Sequence, residues 1–171
     1  MLRKLILGAA LAAMLVIPLL RLVPTPQLVA ATALLPLLAL FLLRPRWRVL
    51  ALTSSPAKLA ALRAAGAVPL LGNLDQPATL GRLGGLADHV LHLAPPPLEG
   101  RTDPRTRHLV QALARGGRVQ RLVYASTSGV YGDCGGAFFD ETRPVCPATD
   151  RAQRRVDAEA VLRWWGRRSG V

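Results

Sequence analysis

From residue 48 to residue 125 short apolar runs alternate with helix-forming stretches, and this alternation narrows the folds open to the chain more than any other feature. Residues 48–53 (RVLALT), 67–71, 89–93 and 121–125 are each apolar enough for a strand covered on both faces. Residues 56–65 have the Leu59/Leu62 spacing of a short helix closed by Gly66, and a second helix is predicted from Ala78 to about Leu86. A third opens on Asp103-Pro104, an N-cap followed by proline at the first helical position, and runs to about Arg115 before Gly116-Gly117. Such a series predicts βαβ units, hence an α/β fold with a doubly wound parallel sheet. Residues 148–168 read as a closing amphipathic helix. Ala152, Val156, Ala160, Val161, Trp164 and Trp165 fall on its apolar face, while Arg151, Arg154, Arg155, Arg163 and Arg167 fall on a solvated one.

The first 45 residues follow a different pattern. Residues 5–20 and 28–43 are almost wholly apolar and are punctuated by Pro18, Pro24, Pro26 and Pro36. Each is short of the roughly 20 residues a membrane span needs, yet the basic flanks Arg3-Lys4 and Arg44, Arg46 and Arg48 would share one side of a hairpin. Two readings stay open for residues 1–45: a degenerate first βα unit with an insertion, or one or two apolar helices touching a membrane through residues 5–43. Residues 46–171 form the expected domain, placed in the cytoplasm.

The 22 basic and 10 acidic residues give a formal charge of +12, but only residues 1–50 are charge-segregated, with six bases and no acid. No basic patch interleaved with aromatics accompanies the charge, which argues against a nucleic-acid partner. Cys134 and Cys146 have neither CxxC spacing nor a neighbouring histidine pair, so no metal site is expected; they read as two reduced thiols in a cytoplasmic protein, or as a disulfide were the domain exported.

Residues 121–133, RLVYASTSGVYGD, are the most specific signal: a strand, hydroxyl residues at its C-terminal end, then Val-Tyr-Gly-Asp. This segment resembles that of the extended short-chain dehydrogenases, the NAD(P)-dependent epimerases and dehydratases. Residues 48–56 look like the family's second strand and ribose-facing turn, Gly72-Asn73-Leu74 like its turn near the adenine, and His92-Leu93-Ala94 like its fourth strand end. Asp140-Glu141-Thr142-Arg143-Pro144 is similar to the sequence before the catalytic helix, and the resemblance covers residues 48–162. It implies a Rossmann-like sheet, incomplete here, with the C-terminal substrate domain absent, a dinucleotide cofactor and a small-molecule substrate that the sequence does not name.

In an open parallel sheet, loops at the carboxyl ends of the strands converge where strand order reverses. The expected cofactor-binding residues are therefore Thr53, Ser54, Ser55, Asn73, Leu74, His92, Leu93, Ala94, Pro95 and Ser126. Laying residues 4–20 on the first strand, phosphate turn and helix puts Gly8, Ala10 and Ala13 at the three glycine positions, where a methyl at Ala10 crowds a pyrophosphate. No acid follows the second strand, which favours NADP mildly over NAD. The competing reading of Thr53–Ser55 is that their hydroxyls merely cap the next helix.

The family's chemistry uses a tyrosine and a lysine four residues later on one helix face. By resemblance those places fall at Arg151 and Arg155, and a guanidinium does not serve as a general base. Thr127 matches the substrate-orienting hydroxyl, Tyr131 is a phenol nearby in sequence, and Arg155 keeps donors for a ribose, so these three are the catalytic candidates. The expected function is an NAD(P)-binding, epimerase-like protein whose catalysis is in doubt. The alternatives are a membrane-anchored, non-enzymatic α/β module and a non-functional piece of an epimerase-like gene.

Overall fold

In the computed structural model the described residues are 3–8 and 47–171, and they build a parallel sheet of five strands in the order β3-β2-β1-β4-β5. The strands are β1 (Arg3–Gly8), β2 (Trp47–Thr53), β3 (Val68–Leu71), β4 (His89–His92) and β5 (Arg121–Tyr124). β1 pairs with β2 from Arg3 opposite Trp47 to Gly8 opposite Leu52, and with β4 from Leu5 opposite His89 to Leu7 opposite Leu91. Strand order thus reverses at β1, with β2 and β3 on one side and β4 and β5 on the other.

The start of the first apolar stretch is therefore the central strand, and residues 5–8 are not helical. The remainder of both stretches, with Ala10, Ala13 and the proposed hairpin, lies outside the described residues. Among the described residues no helix is long and apolar enough to cross a membrane.

Side chains alternate across β2, and each set meets its own helical layer. Leu50 and Leu52 join Val90, Leu109, Val110, Leu113 and Trp165 in a core beneath α2 (Pro104–Ala114) and α3 (Asp150–Ser169). Val49 and Ala51 join Ala67 and Leu93 on the opposite face, where Leu62 and Ala65 pack. α1 itself is Leu59–Ala64, preceded by a 3₁₀ turn at Pro56–Lys58.

Two expectations change. Pro77–Leu83 is a 3₁₀ helix rather than an α-helix. Its buried residues, Leu80 and Leu83, are three apart, the spacing that stacks side chains on one edge of a three-residue turn. The second change concerns α3, which begins on Thr149, whose hydroxyl accepts the Ala152 N–H at 3.1 Å, and ends on Gly170 in the left-handed region. Its inner face holds Ala152, Arg154, Arg155, Ala158 and Trp165, whereas Trp164 is 54% exposed. Arg154 and Arg155 turn inward because chain carbonyls and a phenol await them there.

α2 ends against the loop at Gly84-Gly85. A Cβ on Gly116 would lie 1.9 Å from the Gly85 nitrogen and 2.5 Å from the Gly84 carbonyl carbon, so backbone must move to admit one. Gly116→Ala is expected to cost about 2 kcal/mol, the usual size of overpacking strain, read as a lower urea midpoint at unchanged slope. An unchanged midpoint would show that the loop yields freely.

Candidate functional site

At the carboxyl ends of β2, β3 and β4 the chain leaves a cleft of about 220 Å³. Leu52, Thr53, Ser54 and Lys58 form one wall, Gly72 to Asp75 the next, and Ala94, Pro95 and Arg105 the third. Gly8, the last residue of β1, stands opposite Leu52 and so ends at the same rim.

Local hydrogen bonds set the walls. Thr53 Oγ1 accepts the Ser55 N–H at 3.2 Å, and Thr53 O accepts the Gly72 N–H at 3.0 Å, which ties the β2 end to the turn after β3. Asn73 Oδ1 accepts the Asp75 N–H at 2.9 Å, and the Asn73 N–H donates to Thr79 Oγ1 at 2.8 Å. The capping reading of the serines is corrected: Ser55 occupies the N-cap of the 3₁₀ turn, yet its side chain makes no cap hydrogen bond.

Arg105, from the first turn of α2, straps two walls together. Its Nε and Nη2 donate to the Asp75 carboxylate at 2.7 Å each, and Nη1 donates to Pro95 O at 3.1 Å and Pro96 O at 3.3 Å. These hydrogen bonds hold the Asp75 carboxyl below its usual range despite some burial. Sequence reasoning missed both residues, whose partnership spans 30 positions.

Of the expected cofactor residues, Thr53, Ser54, Asn73, Leu74, Ala94 and Pro95 line the cleft together. The side chains of His92 and Leu93 go elsewhere. Leu93 is buried in the core on the α1 side, and His92, 2% exposed, lies beneath α2 with Nε2 2.9 Å from Thr106 Oγ1. Since the Thr106 hydroxyl donates to Asp103 Oδ2 at 2.8 Å, its oxygen is left to accept from an Nε2–H tautomer of His92. Burial, helped by the charge of Arg155, pushes His92 down to about 4, so the ring is neutral at pH 7.

A second group gathers at the end of β5. Arg155 Nη1 donates to the Tyr124 hydroxyl and to Ala125 O, both at 2.9 Å, and the Ser126 hydroxyl donates to Glu159 Oε1. Burial raises the Tyr124 phenol while Arg155 opposes it, and the net direction is up. Thr127 accepts the Gly129 N–H at 3.3 Å and caps the 3₁₀ turn Ser128–Tyr131. Tyr131 stacks on Phe139 with ring centres 4.9 Å apart, and no hydrogen bond among the described residues joins it to Arg155. The phenol that Arg155 engages is Tyr124, which the sequence reading did not single out. Alternation along β5 could have found it, since Leu122 and Tyr124 share the face covered by α3.

α3 ties down the loops around this group. Arg154 Nη1 donates to Gly100 O at 2.5 Å, and Asp157 accepts the Asp103 N–H at 2.7 Å and both Arg107 Nη groups at 2.6 and 2.7 Å. Burial works to raise Asp157, but these donors outweigh it and hold the carboxyl down. Through Arg155, α3 also anchors the end of β5. Among the described residues no three His, Cys, Asp or Glu side chains gather as metal ligands would.

No protein-family model matches the sequence, and no curated protein does. Among solved structures, the UDP-N-acetylglucosamine 4-epimerase from Bacillus cereus superposes with a TM-score of 0.68 at 14% identity, over 99% of this chain and 50% of that one. A conserved protein of unknown function from Silicibacter pomeroyi is 32% identical over 75% of this chain and 45% of its own, with a TM-score of 0.59. A short-chain dehydrogenase/reductase superfamily protein from Agrobacterium tumefaciens, solved with bound NAD, aligns at 22% identity and a TM-score of 0.57, over 77% and 41%. The fold is thus that of the short-chain dehydrogenase and epimerase structures, as the sequence resemblance implied. The chain spans about half the length of the structures it matches.

Proposed function

We propose that residues 46–171 together with β1 form a nicotinamide-dinucleotide-binding unit, with the adenosine half of NAD or NADP in the cleft. The observation that carries this reading is the convergence of Thr53, Ser54, Asn73, Leu74, Ala94 and Pro95 on one cleft beside the point where strand order reverses. The donor set fits the group. Thr53 and Ser54 offer hydroxyls to a ribose, Lys58 offers a cation, and the one carboxylate on the wall, Asp75, is already held by Arg105. That balance favours a 2′-phosphate, hence NADP. Ser126 and Thr127 lie at the end of β5 on the side expected to receive a small-molecule substrate. When bound, the cofactor would supply hydride transfer.

Position 155 holds a guanidinium committed to Tyr124 and Ala125, and position 151 holds another arginine, so α3 has no phenol to exchange a proton.

Calorimetric titration of the full chain with NADPH and NADH is expected to give saturable binding below millimolar concentration, tighter for NADPH. Lys58→Ala should weaken NADPH about tenfold, the worth of one hydrogen bond to a charged group, and leave NADH nearly unchanged. Folded protein that takes up neither nucleotide at millimolar concentration would reject the proposal. Equal losses for both nucleotides would reject the NADP preference alone.

A further inference from the structure

The two cysteines belong neither to the cleft nor to the network under α3, yet the structure brings both to Gly132. Cys146 is held in place: its N–H donates to Val130 O at 2.9 Å, and its carbonyl lies over Gly132. A Cβ built on Gly132 would come 2.4 Å from that carbonyl oxygen and 3.8 Å from Cys146 Cβ, and Gly132 itself has φ +73°. Only glycine satisfies both the close approach and the left-handed backbone. Cys134 reaches the same residue along the chain, with Sγ 3.7 Å from Gly132 O and 4.0 Å from Tyr131 O.

Cys134 is followed by Gly135 and Gly136, at φ +56° and +78°, and neither has a heavy atom within 4 Å of where a Cβ would be. Cys134 thus opens a glycine turn, closed by the Ala137 N–H donating to Cys134 O and the Gly135 N–H donating to Asp133 Oδ1, both at 2.9 Å, next to a partner whose backbone is also held. Cys146 is exposed, Cys134 is half-buried, and both are free thiols. Closing a disulfide needs the two Cβ atoms brought to about 3.8 Å, and both cysteines lie in the segment between Tyr131 and Asp150, where that movement crosses no strand or helix. The intervening chain, residues 135–145, is short, so the entropy of closing it is small.

We propose that Cys134 and Cys146 are a reversible intrachain disulfide site that responds to small-molecule disulfides such as oxidised glutathione. One cysteine thiolate attacks a glutathione sulfur, forming a mixed disulfide and releasing one glutathione thiol. The second cysteine thiolate then attacks the protein-bound sulfur and displaces the second glutathione. Two cysteine thiols are oxidised to one S–S bond, the oxidant is reduced to two thiols, and the two cysteine protons end on the departing glutathiones. The closed bond would pin the segment after Tyr131 to Val130, next to the strand-end residues Ser126 and Thr127.

The experiment is equilibration of the folded full chain with oxidised glutathione, followed by thiol titration and intact mass measurement. The expected result is joint loss of both thiols, a mass lower by two hydrogens, and recovery of both on adding dithiothreitol. Cys134→Ser and Cys146→Ser should each instead keep one glutathione on the remaining cysteine. Wild-type chain that carries glutathione on either cysteine at equilibrium, that links two chains, or that keeps both thiols would overturn the proposal. The readout is covalent and does not depend on cofactor binding.

Discussion

Asp103→Ala is expected to lower the stability of the chain by about 3 kcal/mol. Asp103 is 1% exposed and caps α2, accepting the Thr106 N–H at 3.2 Å through one carboxyl oxygen and the Thr106 hydroxyl at 2.8 Å through the other. Losing the cap costs up to about 2 kcal/mol. Thr106 is 0% exposed, so its hydroxyl would also be left without an acceptor, and an unsatisfied buried donor adds roughly 1–3 kcal/mol. Asp103→Asn keeps an oxygen for the cap and should lose much less. Urea unfolding of the three proteins measures the difference, and an alanine variant within about 1 kcal/mol of the parent would show that Thr106 finds another partner.

The second large effect is a pH dependence centred on His92. The unfolded chain takes up a proton near pH 6.5, whereas the folded chain, with His92 lowered to about 4, does not until far more acid conditions. Between those values the unfolded state binds more protons, so stability falls as pH falls through the window and is complete above pH 6.5. At 1.36 kcal/mol per pH unit the loss approaches about 3 kcal/mol by pH 4. Asp75 and Asp157, whose folded values are depressed, lose their contribution only as pH drops below the ordinary carboxylate range, and so act later. His92→Gln can still donate to Thr106 Oγ1 but does not titrate, and its stability should be nearly flat from pH 6.5 to 4. A variant that loses stability as steeply as the parent there would assign the dependence to other groups.

Strands were the most legible part of the sequence because each is a short apolar-rich run between helix-forming stretches, clearest in RVLALT, where Val49 to Thr53 are all buried. Their alternation with helices, together with the family resemblance, put Thr53, Ser54, Asn73, Leu74, Ala94 and Pro95 at one rim, but not Lys58, Asp75 or Arg105, which also line the cleft. Less legible were contacts made across the fold. Nothing near Arg105 in sequence announces Asp75, and nothing in the spacing of α3 shows that Gly100 O, Ala125 O and the Tyr124 hydroxyl will face it. Counting apolar residues therefore placed Trp164 inward and, with the exposed Arg151, Arg163 and Arg167, also Arg154 and Arg155 outward. In the structure the Arg154 and Arg155 stems lie in the core while their charged ends meet fixed acceptors, an arrangement that hydrophobic periodicity does not encode. His92 was placed at the rim for a related reason: its backbone ends β4 there, but the side chain belongs to the opposite layer.

The ties made by α3 also have a meaning in time. Each joins residues far apart in the chain, 54 positions for Arg154 to Gly100 and for Asp157 to Asp103, 33 for Glu159 to Ser126. During synthesis the residues of the five strands emerge before those of the helix that anchors their loops. We expect the sheet to form first and the loops near residues 100 and 126 to stay exchangeable until α3 docks, so that one late step sets them together. Pulse-labelled hydrogen exchange should then show these two loops gaining protection at a single rate, that of the last helix.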